Sequence, residues 1–328
     1  MTGSVKAQAK VALLRQATLA QPQSAASLYQ FAAALADAGE AREAAGIFRK
    51  AYVLRPSIEA VLPAGAGGPG GDAAALRDRA AALIEHGAAF SPVIAALAVG
   101  EAHLGNAAAV RDLVDYDRFF RSSVMDPPAG YDLEQFNRAL AVEIKTTELK
   151  FYDAPNQRPL QGGWRSGEIT ESGLPAIRLW TQAIRREIER YVAELPRDAD
   201  HPFLVARPAD YVLGAWAVVS QSESYHRFHL HPRAWVTGVY YTMRPAVSRE
   251  PGSRRGWLRV GPPEDYGVST AHGWGERAIA PEPGTLVLMP GYFFHGTYPT
   301  GADEERICIA FDVMPTELIV DRRNFTDS

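Results

Sequence analysis

Cysteine is almost missing from this chain: Cys308 is the only one among 328 residues. A single thiol makes neither an internal disulfide nor a CxxC metal or redox site, which excludes a disulfide-stapled secreted scaffold. Long apolar runs are lacking as well, and none approaches the roughly 18 residues of a membrane-spanning helix. The apolar run near the N-terminus is broken at Arg15 and Gln16, too early for a signal-peptide core. A soluble cytoplasmic protein is therefore expected, with no membrane partner. Positive charge is not in excess: 34 Lys+Arg stand against 38 Asp+Glu, for a net charge of -4, and the densest basic runs are pairs such as Arg185-Arg186 and Arg254-Arg255. Nucleic acid needs clustered cations, so it is not an expected partner.

What is present suffices for a sizeable core, since 47% of residues are hydrophobic and only 22% charged. At roughly 150 residues per domain the length suggests about two domains. Residues 1–124 are rich in Ala and Leu with few β-branched runs, and apolar residues recur at helical spacing in LYQFAAALADAG and EAREAAGIFRKAYVL. This part is expected to be all helix. Gly39 sits at a turn between two such segments, followed by Ala44, Phe48, Ala51 and Pro56, and the turn around Gly105 has similar wording. This resembles the tetratricopeptide pattern, with a plain helical bundle as the alternative. The run PAGAGGPGGD from Pro63 to Asp72 reads as a flexible insertion.

Residues 125–328 contain one clear amphipathic helix, LPAIRLWTQAIRREIERYVAEL, and then short β-type runs: YVLGAWAVVS, AWVTGVYYTM, GWLRVG, GTLVLMP and RICIAFDVM. Short strands punctuated by Gly and Pro, without helices between them, argue an antiparallel sandwich or barrel. The fold class is α+β, helices first. GGWRSG, Gly162 to Gly167, lacks the ending of a phosphate loop and reads as a loop over the barrel mouth, where Trp164 and Arg165 could meet substrate. The segments Glu250 to Arg255 and Pro262 to Gly273 read as variable loops, which commonly hold substrate contacts, and His272 as an ordinary loop histidine.

Three of the eight histidines fall within SYHRFHLHP, at His226, His229 and His231, and His295 follows the strand GTLVLMP. Alternate residues of an extended strand share a face, so His229 and His231 aim two imidazoles at one point. A third ligand from a distant strand, for which His295 is the candidate, would complete a facial set that leaves positions open for substrate and oxygen. Surface or hydrogen-bonding histidines are the alternative for an HxH pair alone.

The surrounding words extend this. His229-Leu-His-Pro leads into Trp235-Val-Thr-Gly-Val-Tyr-Tyr, Pro283-Gly-Thr-Leu-Val-Leu-Met-Pro, His295 and Arg306-Ile-Cys-Ile-Ala-Phe-Asp, with Ala215-Trp216-Ala217 ahead of them. This resembles the 2-oxoglutarate- and Fe(II)-dependent oxygenases whose motif reads HxHP, SGVYY, GxLVLFPS, H, RISIAFN. The resemblance covers residues 130–316 and is specific in its last hundred. It implies a prolyl-hydroxylase-like double-stranded β-helix, or jelly roll, with supporting helices. It also implies Fe(II) held by His229, His231 and His295, with 2-oxoglutarate and O2 as co-substrates. Most such enzymes use His, a carboxylate and His; the HxH here makes a triple-histidine set, and Glu223 and Asp312 are the nearest carboxylates if one is a ligand. His226 is an alternative ligand or a group behind the ligands. The resemblance makes Arg306, eleven residues after His295, the partner of the far carboxylate of 2-oxoglutarate, a task suited to a planar guanidinium fork.

Alternation puts Arg306, Cys308, Ala310 and Asp312 on one strand face. Cys308 stands where the family usually has Ser, and a thiol is the weaker donor. Tyr240, Tyr241, Thr237 and Thr297 are candidates for the missing hydroxyl. The implied activity is oxidative decarboxylation of 2-oxoglutarate to succinate coupled to C–H hydroxylation of an unidentified small-molecule, peptide or protein substrate, with the helical part offering a protein contact. Two rivals are a cupin-type dioxygenase or isomerase, whose expected Glu after HxH is missing from PRAWVTG, and a helical-repeat adaptor with an inactive barrel.

Overall fold

In the computed structural model, residues 3–63, 66, 71–153, 159–197 and 200–319 are described. The Ala/Leu-rich segments form helices α1 (Gly3–Ala20), α2 (Ala25–Asp37), α3 (Ala41–Leu54), α4 (Ala73–Glu85), α5 (Ser91–His103), α6 (Ala107–Leu113) and α7 (Tyr116–Phe119). Three of them end alike. Gly39, Gly87 and Gly105 adopt positive φ after α2, α4 and α5. The next residue then donates back to the last turn: Glu40 to Leu35, Ala88 to Leu83 and Asn106 to Glu101. The third such turn, at Gly87, was not among the two read from the sequence. The Gly-rich insertion from Pro63 to Asp72 lies mostly outside the described residues, although Asp72 itself caps α4 by accepting from Ala75 N.

The remaining chain adds β1 (Arg121–Val124), α8 (Leu133–Thr146), β2 (Leu149–Tyr152), β3 (Leu160–Ser166), α9 (Pro175–Glu194), α10 (Pro202–Val205), β4 (Tyr211–His226) and β5 (Val236–Met243). After these come β6 (Leu258–Val260), β7 (Arg277–Ile279), β8 (Thr285–Pro290), β9 (His295–Thr297) and β10 (Ala302–Pro315). The fold is thus helices plus antiparallel sheet. Seven strands pair in the order β1-β8-β5-β10-β4-β3-β2, and a smaller sheet has the order β7-β6-β9. Strand β1 joins the large sheet's edge through β8, although its sequence was grouped with the helices. Two other features differ from the sequence reading. Helix α8 accompanies α9, started by a capping box between Asp132 and Gln135. GGWRSG is not a loop but most of strand β3.

Faces of the large sheet divide by alternation. Along β10, Ile307, Ile309, Phe311 and Val313 are fully buried in the core, where Phe311 meets Trp180 of α9 edge-on at 5.9 Å. Gly238 on neighbouring β5 makes room for that ring: a Cβ there would lie 2.4 Å from Phe311 Cζ. The opposite face, carrying Cys308 and Ala310, forms one wall of a cavity. The N-terminal helices share the core rather than sitting apart, since Phe48, Val99, Trp180 and Phe311 belong to one buried cluster. They also touch the chain just after His231. Tyr52 donates to Pro232 O, and Ser91 Oγ donates to Ala234 O at 2.6 Å. Gly291 closes this junction, because a Cβ on it would lie 2.1 Å from Ala234 O. No helix among the described residues is long and apolar enough to cross a membrane.

Candidate metal centre

Main-chain pairing brings the histidines together. His229 and His295 form an antiparallel bridge with reciprocal N–H to O bonds of 2.9 Å, and His231 N donates to Gly291 O at 2.9 Å. The ring centroids of His229 and His295 are consequently 4.5 Å apart, those of His231 and His295 5.0 Å, and those of His229 and His231 5.1 Å. One ring nitrogen from each lies within 4.8 Å of the others.

In two of them the other ring nitrogen is occupied. His229 Nδ1 faces Arg227 O at 2.8 Å and His295 Nδ1 faces Phe293 O at 2.9 Å, so both must carry the proton there. His231 Nδ1 lies 2.7 Å from Asp312 Oδ1. Neither atom has a hydrogen-bond partner, so the contact is a close approach off the line of the ring N–H. In His229 and His295 Nε2 therefore keeps its lone pair, the arrangement that orients imidazoles on a metal.

Burial, followed by the neighbouring imidazoles, pushes the His229 pKa well below its ordinary value and that of His295 to about 3. His226 is lowered well below by burial and then by the Arg306 charge. A sign follows for stability. Unfolded histidine takes a proton near pH 6.5, whereas these three stay neutral in the fold, so unfolding takes up protons below that pH. The metal-free protein is expected to lose stability as pH falls from about 6.5 toward the folded values, and to be insensitive to these groups above pH 7. Thermal unfolding at pH 7.5 and 5.0 checks this: Tm should drop at the lower pH, and by less in His295→Gln.

Beside the cluster is a cavity of about 890 Å³ including its open mouth. Arg306 lines it at 1% exposure. Its guanidinium donates to Gly256 O at 2.7 Å and Ser220 Oγ at 3.0 Å, while Nε has no hydrogen-bond partner. A buried guanidinium held by two neutral oxygens is poorly compensated, which invites an anion. Cys308 lines the cavity beside it. Burial raises the Cys308 pKa against the pull of Arg306, so the thiol stays protonated.

The other residues singled out in the sequence divide. Thr237, Tyr241 and Thr297 line the cavity, with Thr237 Oγ1 donating to Phe311 O and Thr297 Oγ1 accepting from His226 N. Tyr240 is not at the site. One residue out of phase with Tyr241, it faces the core and donates to Asn137 Oδ1 at 2.7 Å. Glu223 is exposed, and Asp312 stands behind His231 rather than in the cluster. His226 lies in the cavity wall outside the cluster, its ring 6.0 Å from that of His229.

The loop Pro262 to Gly273 turns away from the cavity and packs on the helices: His103 Nε2 contacts Tyr266 O at 2.8 Å, and Gly273 abuts Ala107. Trp164 packs on Phe151, whereas Arg165 does line the cavity, from a strand. Trp216, stacked on His231 at 6.0 Å, and Ser220, holding Arg306, were not identified beforehand as site residues. Alternation along YVLGAWAVVS from Trp216 was the available signal.

A family model described as "Putative 2OG-Fe(II) oxygenase" matches residues 214–312, a stretch that contains the three clustered histidines, Arg306 and Asp312. This stretch of the chain is similar to that family. Among solved structures, a Pseudomonas putida prolyl-4-hydroxylase is similar at 19% identity over 64% of this chain and 98% of its own, with a TM-score of 0.43. A Trichoplax adhaerens prolyl hydroxylase, solved with a hypoxia inducible factor peptide fragment, matches at 15% identity over 70% and 94%, with a TM-score of 0.42. Likeness at these levels carries no weight for fold or chemistry. No curated protein matches the sequence.

That similarity implies Fe(II) and 2-oxoglutarate, and the residues present fit both. Three clustered imidazoles, two of them with Nε2 left free by their Nδ1 contacts, suit a divalent iron. A buried Arg306 with an unpartnered Nε suits a carboxylate.

Proposed function

We propose that the chain is an Fe(II)- and 2-oxoglutarate-dependent hydroxylase in which His229, His231 and His295 hold the iron and Arg306 grips the far carboxylate of 2-oxoglutarate. The observation that carries this is the meeting of the three imidazoles beside a cavity that also exposes the Arg306 guanidinium. Bound iron would supply the oxidising power that couples decarboxylation of 2-oxoglutarate, to succinate and CO2, to insertion of one oxygen atom of O2 into a substrate C–H bond. The protein's own residues bind, orient and exclude water. Arg227 O and Phe293 O fix the tautomers of His229 and His295, Asp312 lies against His231, and Ser220 and Gly256 O fix the guanidinium. Cys308 and Tyr241 face the co-substrate. The apolar wall, including Leu160, Val218, Val239 and Met289, keeps the reacting centre dry.

In this reading residues 125–328 form the catalytic domain, the two antiparallel sheets being its double-stranded β-helix. Residues 1–124 form a tetratricopeptide-like helical domain that offers a contact for a protein, and the enzyme works in the cytoplasm on a small molecule or peptide. The test is succinate formation from 2-oxoglutarate by purified protein supplied with Fe(II) and ascorbate. Conversion that stops on chelation supports the reading, and Fe(II)-loaded protein that neither binds nor converts 2-oxoglutarate overturns it in favour of an inactive adaptor. A cupin-type enzyme would bind metal without needing the co-substrate.

Cys308→Ser gives a finer check. A hydroxyl is the stronger donor, and one neutral hydrogen bond contributes about 0.5–1.5 kcal/mol. The variant is expected to bind 2-oxoglutarate about two- to tenfold more tightly by calorimetry; an unchanged affinity would place the thiol out of contact with the co-substrate.

A further inference from the structure

Asp312 is fully buried, yet neither of its carboxylate oxygens has a hydrogen-bond partner. Strand register shows why. On β10 it stands between Gly214 of β4, which has no side chain to offer, and Thr237 of β5, whose hydroxyl donates to Phe311 O instead. Among the described residues no Lys or Arg pairs with it, and the group within ion-pair range is His231, with Nδ1 2.7 Å from Oδ1. A buried carboxylate without donors is costly, so the fold retains this one against its own stability. An unsatisfied buried group of this kind calls for a functional cause or an ion.

The imidazole of His231 is what separates Asp312 from the histidine cluster. The common facial set of two histidines and one carboxylate brings one negative charge to a divalent ion, whereas three neutral imidazoles bring none. Asp312 therefore stands one ring behind the place where the missing charge would act. A carboxylate behind a metal-bound histidine orients the ring and raises its basicity as a ligand.

We propose that Asp312 is a positioning residue for the metal, one that supplies the negative charge of a triple-histidine site through His231 without itself being a ligand. When the cluster is filled, His231 donates its Nδ1 proton to Asp312 in a directed hydrogen bond and presents Nε2 to the ion. This rests on the assignment of the metal to His229, His231 and His295. The burial that makes Asp312 a liability in the metal-free fold is what makes its charge effective once the ion is bound, because little solvent screens it.

The experiment uses the full-length protein at pH 8, above the ordinary histidine range, with Zn(II) as the probe. Zn(II) affinity of the parent and of His295→Ala, measured by chelator competition, stands for the underlying reading. A parent without a one-to-one site, or a His295→Ala that binds as tightly, defeats the cluster whatever Asp312 does. Asp312→Asn removes the charge and keeps the shape. It is expected to bind Zn(II) about 10- to 100-fold more weakly than the parent and more tightly than His295→Ala, while the metal-free variant melts no lower than the metal-free parent. Opposite directions for metal affinity and stability are what a merely structural residue would not give. Three outcomes overturn the proposal: an unchanged Zn(II) affinity; a loss as large as that of His295→Ala, which would make Asp312 a ligand; and a metal-free variant that melts lower or fails to fold, which would make it structural. The unaltered protein gives an independent reading by NMR. In its Zn(II)-loaded form the proton on His231 Nδ1 should resonate downfield of those on His229 and His295, which face carbonyl oxygens; its absence from that position also overturns the proposal.

Discussion

His295→Ala is expected to reduce Fe(II)-dependent conversion of 2-oxoglutarate to succinate to background, a loss of more than about a hundredfold. Disturbing a group that only supports a metal ligand costs about 10- to 100-fold in affinity or activity, and removing one of three ligands costs more. The variant should still fold. The bridge between His229 and His295 is made by main-chain atoms, which alanine retains, and neighbouring Val260 stays paired with residue 295. A separate signature distinguishes this from general damage. After burial, His295 is the strongest influence holding down the pKa of His229, so the metal-free variant should be less sensitive to acid than the parent protein. Loss of turnover together with reduced acid sensitivity supports the metal role, whereas turnover that persists in His295→Ala removes it.

Arg306→Gln is expected to weaken 2-oxoglutarate by at least about thirtyfold. Truncating one partner of a buried hydrogen-bonded charge pair costs about 2–5 kcal/mol, and 1.4 kcal/mol is tenfold in affinity. Metal binding should be little changed, because none of the imidazoles depends on Arg306 for its tautomer. Ligand-induced stabilisation gives the readout. At a hundred times the dissociation constant, 2-oxoglutarate adds about 2.7 kcal/mol to the stability of a protein that binds it; metal-loaded Arg306→Gln should show almost none at the same concentration. Arg306→Lys should recover only part, since an ammonium supplies the charge without the two-pronged geometry. A glutamine variant stabilised as strongly as the parent would assign the far carboxylate to another group, Arg165 being the nearest cationic alternative in the cavity.

Part of the site could be read from the sequence because β10 is a period-2 strand: the alternation Arg306, Cys308, Ala310, Asp312 holds in the structure. His229 and His231 do meet His295, but from the segment after β4, where His229 makes an isolated bridge and His231 lies outside any strand. The same rule shows why Tyr240 and Tyr241 could not both face the cavity: adjacent strand residues point to opposite faces, and Tyr240 went to the core with Asn137.

Other features needed tertiary structure. GGWRSG has the composition of a loop, yet it pairs as β3, with a bulge between Gln161 and Gly163 and a positive φ at Gly162 absorbing the glycines. Only that pairing reveals Arg165 as a cavity residue. Asp312 was weighed as an iron ligand; its side chain reaches His231 Nδ1 from behind, a distinction that depends on which ring nitrogen it meets. Helix α8 was missed although its capping box, Asp132 to Gln135, is written in the sequence. The joining of both halves through one core, with Tyr52 and Ser91 gripping the turn after His231, rests on contacts far apart in sequence that no local pattern encodes.

The most direct measurement is a crystal structure of the protein soaked anaerobically with Fe(II) and 2-oxoglutarate. The expected result is one iron bound by Nε2 of His229, His231 and His295, with Asp312 still behind His231 and the far carboxylate of 2-oxoglutarate on Arg306. Iron bound through Asp312 or His226 in place of one of these histidines, or 2-oxoglutarate seated away from Arg306, would contradict it.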